Sequence, residues 1–135
     1  MSNFDVLYGI AKNRNTPPET LARLANDYYW IVRRGGANNP KALPETLARL
    51  ANDDDVRVRH EVATNPNTSP ETLDRLANDD ESFVREYVAK NPNVSPETLE
   101  RLVNDEDYWV RWRVLGNPNT PQYLITYIKL KIILK

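Results

Sequence analysis

The tetrad Pro-Glu-Thr-Leu occurs four times in this chain, beginning at Pro18, Pro44, Pro70 and Pro96, each copy 26 residues after the one before. A fixed period of that length marks a solenoid: one unit is too small to bury its own apolar face, so neighbours must stack and share a continuous core. The expected fold is all-α, an α-solenoid of short helix pairs with 26-residue repeats. The period divides a single domain, 1–135, into an N-terminal half repeat at 1–12, full repeats at 13–38, 39–64, 65–90 and 91–116, and a C-terminal half repeat at 117–135.

Each column of the repeat has a local reason. Asn13, Asn39, Asn65, Asn91 and Asn117 open the links, the last four followed by Pro40, Pro66, Pro92 and Pro118. Asparagine tolerates the left-handed conformation that closes a helix, and proline cannot continue one, so each pair reads as a stop. The tetrad proline suits the first turn of a helix A, where a missing N–H costs nothing, and the glutamate after it suits the positive end of the helix dipole. Thr16 or Thr68 can form a capping box with Glu19 or Glu71, while Ser69 and Ser95 can equally be the cap. Leu21, Leu24 and Ala25 and their copies recur with helical spacing on one face, which is core. A short helix B follows, with Val32, Val58, Val84 and Val110 and an apolar residue four positions on in the last three. Gly35 and Gly36 interrupt its first full copy, at a cost of about 0.5–1 kcal/mol per glycine relative to alanine. Val6 lies in register with Val32, so the array begins on a B helix, and Ile125 and Ile128 place an A helix at 117–135.

The string from Asn65 to Asp79, Asn-Pro-Asn-Thr-x-Pro-Glu-Thr-Leu-x-Arg-Leu-Ala-Asn-Asp, with Val84-Arg85 beyond it, resembles the bacterial leucine-rich repeat variant family. That resemblance covers residues 13 to about 122 and implies a right-handed superhelix of helix pairs, α/α or α/3₁₀. Some family members carry an iron–sulfur cluster on cysteines; this chain has no cysteine, so no such cofactor is expected. The Asp and Val-Arg pattern also resembles HEAT-like repeats, including those of bilin lyases and of a class of DNA glycosylases, as an analogy of architecture alone.

Composition removes several function classes. A net charge of −1 excludes a uniformly basic nucleic-acid binder, though it leaves open charges segregated onto opposite faces. Without cysteine there is no disulfide, thiolate metal site or cysteine nucleophile. His60 is the one histidine and reads as a solvent-facing helix residue. No Ser-His-acid arrangement, phosphate loop or spaced set of metal ligands is present, and neither a catalytic residue nor a metal is expected. The start of the chain lacks the basic and apolar segments of a secretory signal, which points to the cytoplasm.

Candidate binding residues lie in two arginine columns and among the aromatics. Arg23, Arg49, Arg75 and Arg101 follow a glutamate by four positions, the spacing of an exposed helical ion pair. Arg33, Arg59, Arg85 and Arg111 on helix B admit two readings: a phosphate-gripping ladder for nucleic acid, or a structural ladder with Asp27, Asp53, Asp79 and Asp105, which keep the same register. Asp54-Asp55, Asp80-Glu81 and Glu106-Asp107 form an acidic edge, and Asp107 beside Tyr108 and Trp109 is the one arrangement that suggests a repair-enzyme carboxylate.

The leading expectation is a non-catalytic scaffold that binds a protein or peptide through Trp30, Arg34, Arg57, Tyr87, Tyr108, Trp109, Trp112 and Arg113, since Tyr, Trp and Arg dominate binding hot spots. Nucleic acid is the alternative partner, and an enzyme resembling the HEAT-like glycosylases comes behind both. The apolar last segment, through Tyr123, Leu124, Tyr127, Leu130 and Leu134, suggests self-association as a homodimer or an end-to-end contact. Twelve residues are too few to span a bilayer, and no membrane contact is expected.

Overall fold

A computed structural model describes the backbone of residues 3–133, and among these residues every regular element is an α-helix. The A helices are α2 (Pro18–Leu24), α4 (Pro44–Leu50), α6 (Pro70–Leu76), α8 (Pro96–Leu102) and α10 (Gln122–Ile133). The B helices are α1 (Asn3–Lys12), α3 (Trp30–Asn38), α5 (Val56–Thr64), α7 (Ser82–Lys90) and α9 (Tyr108–Gly116). Helix B is thus α-helical in every copy, which decides between the α and 3₁₀ readings.

The tetrad proline is the first helical residue of α2, α4, α6 and α8. Ser69 and Ser95 are the caps, each accepting the amide of the residue three positions on at 3.2 Å. Thr16 and Thr68 do not form capping boxes. Their hydroxyls donate to the carbonyls of Ile10 (2.5 Å) and Val62 (2.6 Å), tying the link to the end of the preceding B helix. Each seven-residue A helix ends where two successive amides, such as those of Asn26 and Asp27, bond carbonyls three positions back at 3.1 Å, tightening the last turn.

Link asparagines stop helix B without any left-handed residue: Asn39, Asn65, Asn91 and Asn117 are extended, with φ between −75° and −68°. Their buried side chains do the work instead. Asn65 Nδ2 donates to the carbonyls of Ala37 (2.7 Å), near the end of α3, and of Asn39 (3.1 Å), its counterpart one repeat earlier, while its Oδ1 accepts the Asn67 amide at 2.8 Å. Asn39, Asn91 and Asn117 repeat the pattern, giving a buried amide ladder that joins each repeat to the last. The amide satisfies a carbonyl that the helix C-terminus otherwise leaves orphaned, such as that of Ala37, and adds a second bond to that of Asn39, which also accepts the Ala42 amide at 3.0 Å.

Successive B helices pack directly on one another, α1 on α3, α3 on α5, α5 on α7 and α7 on α9, with the A helices alongside. Leu21, Leu47, Leu73 and Leu99 from the A helices meet the fully buried Val58, Val62, Val84, Val88, Val110 and Val114 in one continuous core. A smaller cluster at the N-terminal end joins Ala11, Leu24 and Val32 with Phe4, Leu7, Tyr8 and Ile31. Gly35 belongs to that end: a Cβ there would lie 3.0 Å from Ala11 Cβ and 3.2 Å from the Tyr8 ring, so glycine lets α1 close onto α3. Tyr8 and Ala11 of α1 fill the space.

Candidate functional site

The B-helix arginines are rungs between repeats. Arg33 Nε and Nη2 donate to the two carboxylate oxygens of Asp53 at 2.7 and 3.1 Å; Arg59 grips Asp79 at 2.8 and 3.3 Å, and Arg85 grips Asp105 at 2.8 and 3.1 Å. Nη1 of each is clamped by a carbonyl six residues earlier, at 2.9, 2.8 and 2.7 Å. Hydrogen bonding to the aspartate raises all three guanidiniums above their usual pKa against the opposing effect of burial. Fork-to-fork geometry of this kind uses most of an arginine's donors. Arg33, Arg59 and Arg85 are therefore committed to carboxylates, and the phosphate-gripping reading loses three of its four residues.

Arg111 differs. Its Nη1 is clamped as in the other repeats, by the carbonyls of Asp105 (2.7 Å) and Glu106 (3.0 Å), yet among the described residues no carboxylate meets its fork. The position in register with Asp53, Asp79 and Asp105 is Lys131, whose ammonium donates to Asn104 Oδ1 at 3.0 Å. Between α9 and α10 lies an open cavity of about 460 Å³, lined by Tyr108, Arg111, Trp112 and Leu115 on one side and Tyr127, Ile128, Lys131 and Ile132 on the other, with Val103, Asn104 and Asp105 at its base. Lys131 and Ile132 were not among the sequence candidates and Ile128 only as an A-helix position, although the break in the aspartate column at Lys131 is visible in the sequence.

The remaining candidates divide into two groups. Tyr108, Trp109 and Trp112 are 58%, 55% and 47% exposed and meet edge to face, with centroids 5.2 and 6.0 Å apart. Tyr87 and Arg113 adjoin them, the guanidinium lying 5.4 Å from the Trp112 ring centroid and 6.0 Å from that of Tyr87. Trp30, Arg34 and Arg57 lie apart, toward the N-terminal end. Arg57 stacks on Trp30 at 3.4 Å and pairs with Asp55 at 2.8 Å, holding that carboxyl below the usual carboxylate range. Arg34 pairs with Glu61 and Arg113 with Glu86, both at 3.0 Å.

Several expectations need correction. His60 is not solvent-facing: it stacks on Phe83 at 4.3 Å and meets Tyr87 edge to face at 4.3 Å, its Nε2 buried without a hydrogen-bond partner. Asp107 caps α9, accepting the amides of Trp109 (2.8 Å) and Val110 (3.2 Å), so its place beside aromatics has a structural cause. Arg49, Arg75 and Arg101 reach the carbonyls of Ala22, Ala48 and Asp74 in the preceding repeat, and among the described residues none pairs with the glutamate four positions before it. Of the proposed self-association residues, Leu124 is buried in the core, Tyr123 bonds Glu100 and Tyr127 bonds Asn104, while Leu130 is half exposed. Leu134 lies outside the described residues. Among those residues no group of three or more His, Asp or Glu side chains is placed to hold a metal, and no helix is long and apolar enough to cross a membrane.

Residues 56–81 and 83–107 match the family model of the leucine rich repeat variant. The solved structure of a leucine-rich repeat variant with a novel repetitive structural motif is similar to this chain, with a TM-score of 0.65 and 21% identity over 96% of the chain. The chain spans 66% of that structure's length, and the likeness carries the all-helical repeat fold alone. No curated protein matches the sequence. The exposed aromatics and the cavity at α9 are what the repeat pattern does not require.

Proposed function

We propose that this leucine-rich repeat variant array is a non-catalytic scaffold that binds a protein partner at the C-terminal end of its B-helix surface. One observation carries the reading: Tyr108, Trp109 and Trp112 stand about half exposed in a single patch on α9. Large clustered aromatics left in water are unfavourable unless a partner covers them, and such residues contribute most at interfaces. The neighbouring ion pair between Arg113 and Glu86 supplies the polar rim of such a patch. Asp107 caps α9 and Asp105 holds Arg85, so these carboxylates near the patch have structural partners, which supports binding over catalysis.

The test is affinity capture with the wild-type chain and with Trp109→Ala, followed by reconstitution of each captured protein from purified components. Loss of a hot-spot tryptophan should weaken a purified partner by about thirtyfold, while the thermal midpoint of the chain stays unchanged. Partners that bind both proteins equally would rule out this patch as the interface.

A further inference from the structure

The groove between α9 and α10 is the place a further B helix would take. In each preceding repeat the fork of the B-helix arginine receives the aspartate of the next repeat, and the helix after that aspartate packs on the arginine's own helix. At α9 the clamp on Arg111 Nη1 is intact, so the fork is already oriented, but among the described residues carboxylate and helix are both missing. An apolar wall of Trp112, Leu115, Ile128 and Ile132 stands beside the guanidinium, and Lys131 adds a second positive charge.

We propose that this groove receives an acidic amphipathic helix of a partner protein, whose leading carboxylate binds Arg111 as Asp53, Asp79 and Asp105 bind Arg33, Arg59 and Arg85. The proposal rests on the protein-binding reading and gives it a ligand chemistry: a carboxylate about three residues ahead of a short helix with one apolar face. Two cations and an apolar wall, with the lining carboxylate of Asp105 already held by Arg85, select an anionic, amphipathic occupant, and the arginine fork matches a planar carboxylate. A second copy of the chain is a poor occupant. Three of its four column aspartates already sit on arginines, and the fourth, Asp27, precedes α3, whose corresponding face is covered by α1.

The direct probe is a labelled peptide copying residues 79–90, the segment that fills the equivalent place on α5, held helical by a lactam between Glu86 and Lys90. Fluorescence anisotropy with the full chain should show saturable binding, weakened roughly tenfold when the peptide carries Asp79→Asn, because a charge-assisted bidentate bond is lost. Arg111→Gln in the chain should abolish the discrimination between the two peptides. Ile132→Glu, an exposed position on the groove wall, should weaken both peptides without changing the thermal midpoint. The proposal is overturned by absence of binding, by equal affinity of the two peptides for the wild-type chain, or by discrimination that survives in Arg111→Gln. Arg111-dependent dimerisation in sedimentation would assign the groove to a second copy and equally overturn it. Trp109 lies outside the groove lining, so a Trp109-dependent partner that persists while the peptide fails leaves the scaffold reading standing and removes only this occupant.

Discussion

At the scale of single residues, each interface between repeats is keyed by one pair of side chains 27 positions apart. Tyr8 lies over Gly35, Arg34 pairs with Glu61, His60 meets Tyr87 and Glu86 pairs with Arg113. A slip by one repeat would set Arg34 against Tyr87 or Glu86 against Glu61, so these unlike pairs fix the order of otherwise similar units. His60 makes its interface sensitive to pH. Burial among Phe83 and Tyr87 lowers its pKa; Glu61 and Glu86 oppose that shift and Arg34 adds to it. Because the folded-state pKa lies below the unfolded value of 6.5, the unfolded chain binds the proton more readily, and stability rises with pH through this window. The stability is present above pH 6.5 and is lost as pH falls through 6.5 toward the folded pKa. Urea midpoints measured from about pH 7 down to about pH 5.5 should fall for the wild type and stay flatter for His60→Phe, a window above the carboxylate range. Parallel slopes in the two proteins would exclude His60 as the cause.

At the scale of the element, the sequence pattern made the helices legible and left the interactions between them ambiguous. Helix starts followed from the tetrad proline, and the buried faces from the spacing of Leu21, Leu47, Leu73 and Leu99. The link asparagines read as left-handed stops because local chemistry suggests it, whereas their buried ladder depends on carbonyls 26 and 28 residues earlier. Register likewise showed that Asp and Arg belong together, but not that the carboxylate comes from the next repeat. The groove at α9 is visible in sequence only as a missing aspartate. The rungs predict an asymmetry along the array. Asp27 and Asp79 both accept a local amide, of Tyr29 and Glu81, but only Asp79 also holds an arginine, since Leu7 stands where Arg59 would be. Asp79→Ala leaves Arg59 largely enclosed without its counter-charge and should cost about 2–4 kcal/mol. Asp27→Ala loses a turn-stabilising acceptor alone, about 0.5–1 kcal/mol. Chemical denaturation of both variants tests the difference, and equal losses would mean that the rung contributes nothing beyond the local turn.

At the scale of the whole molecule, stability is the sum of modest units and the interfaces that join them, so the placement of a defect matters as much as its size. The Asn65 amide sits in the middle of the array and bonds the carbonyls of Ala37 and Asn39 while shaping its own link. Asn65→Ala orphans the Ala37 carbonyl and takes one of two bonds from that of Asn39, which keeps the Ala42 amide, and should weaken that interface by about 1–3 kcal/mol. Against a total of about 5–15 kcal/mol for a domain of ordinary stability, such a loss lets the two halves unfold separately. The expected signature is a urea transition that broadens or splits, with amide exchange accelerated on one side of residue 65 before the other. Asn117→Ala breaks the equivalent bonds near the end of the described array, where only α10 lies beyond, so its main transition should stay single while α10 frays. A single sharp transition for Asn65→Ala, merely shifted in midpoint, would show that the amide ladder stabilises the array without carrying its cooperativity.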